Sequence, residues 1–231
     1  MVWISGSALT RPGPGTVPGP HDPKPIKVPR AMAELRDQGE RRSISTENFC
    51  LEFEWTEDRW VHSLVQASRD PRRVFAWTLE GDPGRDDPAR VVSPTYQQLH
   101  FQGERSAIQT LLVGQAGPHH FSAVFAFEED PDGSVRIGVD VADRCRHPTE
   151  ALASTYTVGA SSDELVEASP SAAVWDFGAG RLTFSATPPA QVALAEAGRR
   201  ATQIQALAGA DPLAPTRRYV YQWYWEPALR R

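Results

Sequence analysis

Two groups of residues in this 231-residue sequence have the types and spacing that chemistry requires. The first is the adjacent pair His119 and His120, with His62 and His100 on other predicted strands. Imidazole nitrogens bind zinc at about 2.0 to 2.1 Å when several ligands converge. Adjacent residues on a strand point to opposite faces, so at most one of the pair can share an interior with the other histidines. Nothing in the spacing enforces convergence and the familiar helical zinc motifs are absent, so the expected role is a partly exposed pair beside a turn, with no metal assigned. A metal-assisted hydrolase using His100, His119 or His120 with Asp140 is the catalytic alternative.

The second group is Asp140, Asp143, Cys145 and His147, which lie within eight residues at the end of a predicted strand. A thiol and an imidazole within hydrogen-bond reach can serve as nucleophile and base. Flanking Arg144 and Arg146 would favour a thiolate in a catalytic or a non-catalytic setting alike. The sequence supplies only proximity along the chain, so structural roles are the expectation here.

Two further sets are conspicuous. Glu52 and Glu54 share one strand face, and Arg136 and Asp140 share a face of another. Lining a barrel interior, they would form a charged tunnel for a polyphosphate and metal ions. Position 56 is Thr56 where such a tunnel would carry a lysine, and a solvated outer face is expected instead. Tyr219, Tyr221, Trp223 and Trp225 concentrate aromatic area on one face of a late strand, which suits core closure, a ligand-lined cavity or a self-association surface.

The elements that would position these groups are mostly strands. Phe49, Leu51, Phe53 and Trp55 alternate with polar or small residues, the period-two pattern of a strand with one buried face, and regular structure is expected to begin near Glu47. Strands are predicted at 59–66, 73–80, 95–102, 106–113, 119–129, 134–143, 152–158, 173–177, 181–186 and 217–226. Asp130, Pro131, Asp132 and Gly133 supply turn chemistry between two of them. Gly178 to Gly180 suits a three-residue hairpin loop. A loop at 68–71 and a strong breaker at 81–89 interrupt the series.

Two helices are predicted. A short one spans 30–40 and ends near Gly39. A long one spans 188–208, with Thr187 as cap, Pro188 at its first position, Gly209 at its end, and a stripe of Leu194, Ala197, Ala201, Ile204 and Ala208. This helix is expected to cover the outer face of strand 119–129. The fold class that follows is mainly β: an antiparallel meander forming a barrel, or a two-layer sandwich, with one helix packed on the sheet before the last strand. The barrel is preferred.

Length is consistent with a single β-rich domain over 31–231, preceded by a Pro/Gly-rich tail at 1–30 that is expected to be disordered or polyproline-like. A net charge of −5 with interspersed signs offers no basic stripe for nucleic acid. Two cysteines make no disulfide framework or paired zinc spacing. The absence of a leader-like or membrane-spanning apolar run points to the cytoplasm, and the Arg, Ala and Pro usage hints at a GC-rich bacterial source. No phosphate-binding loop, dinucleotide fingerprint or nucleophile elbow occurs. The triplet Asp176, Phe177, Gly178 lacks every other kinase element. The leading expectation is therefore a non-catalytic, cofactor-free domain that binds a small apolar or aromatic ligand, or a protein partner, through His119, His120, Tyr221, Trp223 and Trp225. The metal-assisted hydrolase and a self-associating structural subunit are the alternatives.

Overall fold

The computed structural model describes residues 33–67, 73–79, 91–104, 107–147, 151–196, 201–209, 211 and 214–228. The predicted tail at 1–30 and the loops at 68–71 and 81–89 lie outside these residues. In chain order the strands are β1 (Glu34–Asp37), β2 (Arg41–Ser45), β3 (Phe49–Thr56), β4 (Arg59–Gln66), β5 (Val74–Thr78), β6 (Val91–Val92), β7 (Gln98–Glu104), β8 (Ala107–Ala116) and β9 (His119–Glu129). They continue with β10 (Val135–Arg144), β11 (Ala151–Val158), β12 (Leu165–Ala168), β13 (Ala172–Asp176), β14 (Gly180–Thr187), β15 (Gln191–Glu196), β16 (Thr202–Leu207) and β17 (Thr216–Pro227). No helix occurs among the described residues, so none is long and apolar enough to cross a membrane.

The strands form two sheets. The first runs β1-β2-β3-β4-β5-β11-β16-β15, and the short β6 joins it alongside β11 in parallel. The second runs β12-β13-β14-β17-β10-β9-β8-β7, with every pairing antiparallel. Period-two alternation decides which side chains meet between the sheets. On β3 it sends Phe49, Leu51 and Phe53 inward, and on β17 it sends Tyr219, Tyr221, Trp223 and Trp225 inward. Rings from the two sheets interlock: Phe53 lies 5.6 Å from Phe125, Phe75 lies 4.7 Å from Trp225, and Tyr156 lies 5.1 Å from Trp223. Such pairs add roughly 0.5 to 1.5 kcal/mol each beyond the burial of their area.

The β9–β10 hairpin forms as its turn residues require. Gly133 adopts φ 86°, its N–H donates to Asp130 O at 2.9 Å, and the Ser134 N–H donates to Asp132 Oδ1 at 2.9 Å. Between β6 and β7 the chain crosses close over β8. A Cβ on Gly114 would sit 2.1 Å from Thr95 O, so only glycine allows the backbones to approach there.

Several expectations are corrected. The sheets do not close into a barrel: among the described residues each has two edge strands, β1 and β15 in one and β12 and β7 in the other. The long helix at 188–208 is instead the hairpin β15–β16, paired in register from Gln191 with Leu207 to Glu196 with Thr202. Val192, Ile204 and Ala206 point into the core in strand alternation, and pairing of β16 with β11 outweighs the helical propensity of the alanines. Among the described residues the outer face of β9 accordingly carries no helix, and it runs from exposed His120 through half-buried Ser122, Val124 and Ala126 to exposed Glu128. The short helix at 30–40 is replaced by β1 and β2 joined through a turn in which Gly39 has φ 77°. Among the described residues regular structure thus begins at Glu34, ahead of the expected start near Glu47. A strand at Leu165–Ala168, unforeseen in the sequence, borders β13.

Candidate functional site

The turn between β8 and β9 is only Gly117 and Pro118, so His119 opens β9 at one end of the second sheet. The hairpin register pairs Val135 with Glu129 and Arg144 with His120. One further step places Cys145 directly across from His119, while Asp143, opposite Phe121, lies diagonally behind. All three residues share the inward-facing parity of their strands. His119, Asp143 and Cys145 are each buried, with Asp143 only 1 % exposed.

The three side chains form a continuous chain of contacts. His119 Nδ1 lies 2.8 Å from Asp143 Oδ2, and His119 Nε2 lies 3.8 Å from Cys145 Sγ. A carboxylate accepts only, so the imidazole carries its proton on Nδ1 and presents the Nε2 lone pair to the thiol. The ring stacks on Phe121 at 5.7 Å and an interplanar angle of 5°, which fixes its plane. The other Asp143 oxygen, Oδ1, is buried with no hydrogen-bond partner among the described residues. Arg217 is the cross-strand neighbour of Asp143 on β17 and is buried.

Backbone groups complete the surroundings of the sulfur. The His147 N–H donates to Cys145 Sγ at 3.4 Å, and the Cys145 N–H donates to Pro215 O at 3.1 Å. Two fixed groups, an imidazole nitrogen and an amide, therefore address the thiol directly. The sequence grouped Cys145 with His147, yet the imidazole that reaches the sulfur is that of His119, from a neighbouring strand. The turn residues in the sequence announce the hairpin but not this pairing: counting outward from Asp130–Gly133 sets position 145 against position 118, whereas the observed register, with Val135 opposite Glu129, sets it against His119.

The remaining candidates fall elsewhere. His120 is exposed on the outer face of β9, and His100 is exposed on β7. Asp140 lies on the outer face of β10, ion-paired with Arg218. His119 is thus not brought together with His100, His120 or Asp140, and no metal-holding cluster of three or more His, Cys, Asp or Glu occurs among the described residues. Glu54 pairs with Arg41 at 3.0 Å and Arg136 with Glu128 at 3.4 Å, both on exposed surfaces. Tyr221, Trp223 and Trp225 are packed between the sheets, at 1 to 2 % exposure.

A second polar constellation spans the core. His62 Nε2 lies 2.7 Å from Tyr156 Oη, which lies 2.7 Å from Tyr221 Oη, and Ser154 Oγ meets Tyr219 Oη at 2.9 Å. Phe53 and Phe125 flank the His62 ring, at 5.9 and 4.8 Å. Burial in this apolar setting disfavours the imidazolium and lowers the His62 pKa from 6.5 to about 3. A histidine held neutral in this way ties the two sheets together through tyrosine hydroxyls. It does not shuttle protons near neutral pH.

No protein-family model matches this chain, and no curated protein matches it. The functional reading therefore stands on geometry.

Proposed function

We propose that this protein performs thiol-dependent nucleophilic chemistry at Cys145, with His119 as general base and Asp143 as the group that orients it. The observation that carries this reading is the alignment of Asp143 Oδ2, the His119 ring and Cys145 Sγ at 2.8 and 3.8 Å. In the attacking step His119 Nε2 takes the thiol proton as the sulfur bonds to an electrophile. The buried carboxylate then faces the imidazolium that results, holding its tautomer and offsetting its charge. Cys50 serves as an internal reference: it is also buried, and its Sγ lies 3.9 Å from Glu52 Oε1 rather than from an imidazole nitrogen.

Iodoacetamide labelling of the reduced full-length protein, followed by peptide mass mapping, tests the reading. Cys145 should be carbamidomethylated ahead of Cys50, and His119→Gln should slow the Cys145 reaction by about a hundredfold, as loss of a positioned base does. Equal labelling of both cysteines, or an unchanged rate in a folded His119→Gln variant, would refute it.

A second reading, ligand binding between the sheets, has its own support. The indole N–H groups of Trp175, Trp223 and Trp225 are buried with no hydrogen-bond partner among the described residues. Buried donors ordinarily find an acceptor, and a small aromatic or apolar ligand with one acceptor would supply it. Tyr221 lies in the same row, and His119 lies at the end of the sandwich where Cys145 sits. Native mass spectrometry of the purified protein would reveal a retained organic mass, and a bare protein mass would remove this reading.

A further inference from the structure

The donors around Cys145 differ from those that acyl transfer needs. In attack on an ester, thioester or amide, charge moves from sulfur to a carbonyl oxygen, and donors about 2.7 to 3.1 Å from that oxygen stabilise it. The amide of the nucleophile itself commonly serves, but the Cys145 N–H is committed to Pro215 O at 3.1 Å. The neighbouring amide of His147 points at the sulfur, at 3.4 Å. The polar groups thus stabilise charge on sulfur, while the His119 imidazole stands ready to give a proton to a leaving group. Access is narrow as well: Cys145 is 6 % exposed and His119 is 8 % exposed, which favours a small electrophile.

We infer that the substrate of Cys145 is a small hydroperoxide, hydrogen peroxide being the simplest. The inference rests on the nucleophilic reading of Cys145 proposed above. His119 takes the thiol proton, and the sulfur lone pair attacks the terminal peroxide oxygen. The S–O bond forms as the O–O bond breaks, and the departing hydroxide or alkoxide collects the proton from His119 Nε2. Cys145 is oxidised to a sulfenic acid and the peroxide is reduced to water or an alcohol. The thiol returns when one molecule of a small thiol condenses with the sulfenic acid, releasing water, and a second displaces the resulting mixed disulfide. That reductant must be external, because Cys50 cannot resolve the sulfenic acid. Cys50 sits on β3 in the first sheet beside Glu52, on the face turned away from Phe49, Leu51 and Phe53. Cys145 faces inward from the second sheet, and stacked sheets stand about 10 Å apart, beyond the Cα separation a disulfide tolerates.

The test treats the reduced full-length protein with less than one equivalent of hydrogen peroxide in the presence of dimedone and maps the adduct by peptide mass. The adduct is expected on Cys145 and not on Cys50, at a rate about a hundredfold above that of free cysteine. The rate should fall in His119→Gln, and glutathione should sustain peroxide consumption in the wild type but not in Cys145→Ser. If Cys145 is alkylated by iodoacetamide ahead of Cys50 yet forms sulfenic acid no faster than free cysteine, the peroxide assignment fails and the nucleophilic reading survives. A stoichiometric burst of nitrophenol from a nitrophenyl ester, with slow peroxide reaction, would likewise overturn it in favour of acyl transfer. Slow alkylation and slow oxidation together would remove both.

Discussion

Mild acid should destabilise this sandwich through His62. In the folded chain burial lowers the pKa of this residue from 6.5 to about 3, whereas an unfolded chain protonates it near 6.5. Below pH 6.5 the unfolded state therefore binds the extra proton, so the stabilising contribution is fully present above that value and is lost progressively as pH falls towards 3. At about 1.4 kcal/mol per pH unit, the drop from pH 7 to pH 5 costs about 2 kcal/mol, because only the interval below 6.5 counts. Against the 5 to 15 kcal/mol typical of folded proteins, that is a large share. Urea midpoints at pH 7 and pH 5 measure it, with His62→Gln as the comparison, since glutamine can still reach Tyr156 Oη but does not titrate. The variant should lose about 2 kcal/mol less than the wild type over this interval, whatever its stability at pH 7. An identical loss in both proteins would show that the buried imidazole is not the acid-sensitive group.

Two other substitutions probe what holds the frame of the site. Gly114→Ala would place a Cβ 2.1 Å from Thr95 O, so backbone must move, and thermal unfolding should register a loss of roughly 1 to 3 kcal/mol or more; Gly138→Ala, with nothing within 4 Å, is the control expected to change little. Tyr156→Phe removes the hydroxyl that meets both His62 and Tyr221, and urea denaturation should show a cost of roughly 1 to 3 kcal/mol, with the larger end expected because it disrupts two buried hydrogen bonds.

Local alternation made much of the fold legible. β3, β10 and β17 each bury one face, as their residues dictate, and the Asp130–Gly133 turn joins β9 to β10 where its chemistry requires. The segment 188–208 was ambiguous for a physical reason. Leu194 and Ile204 satisfy a helical stripe and a strand alternation at once, and helix-capping residues at 187, 188 and 209 also suit hairpin ends. Only the partner decides, and β11 lies far away along the chain. β1 escaped notice because all four of its residues are exposed, so it carries no buried periodicity to read. Barrel against sandwich turns on whether edge strands meet, which no local pattern encodes. At the site, each residue of the Cys145 group was visible in the sequence, but the partnership with His119 is a matter of register across a hairpin. Chain proximity had suggested His147 instead.

The placement of β17 bears on how the protein comes to be folded during synthesis. This strand lies between β10 and β14, and is the last strand of the described chain to leave the ribosome. Until it arrives, β7–β10 and β12–β14 are two separate fragments whose facing edges, on β10 and β14, stand unpaired. Those edges are flanked by apolar inner faces, the condition under which nascent chains pair with one another. Protection of the nascent chain is therefore needed longest in the half of the molecule that carries Cys145, whereas β1 to β5 can pair with near neighbours soon after they emerge.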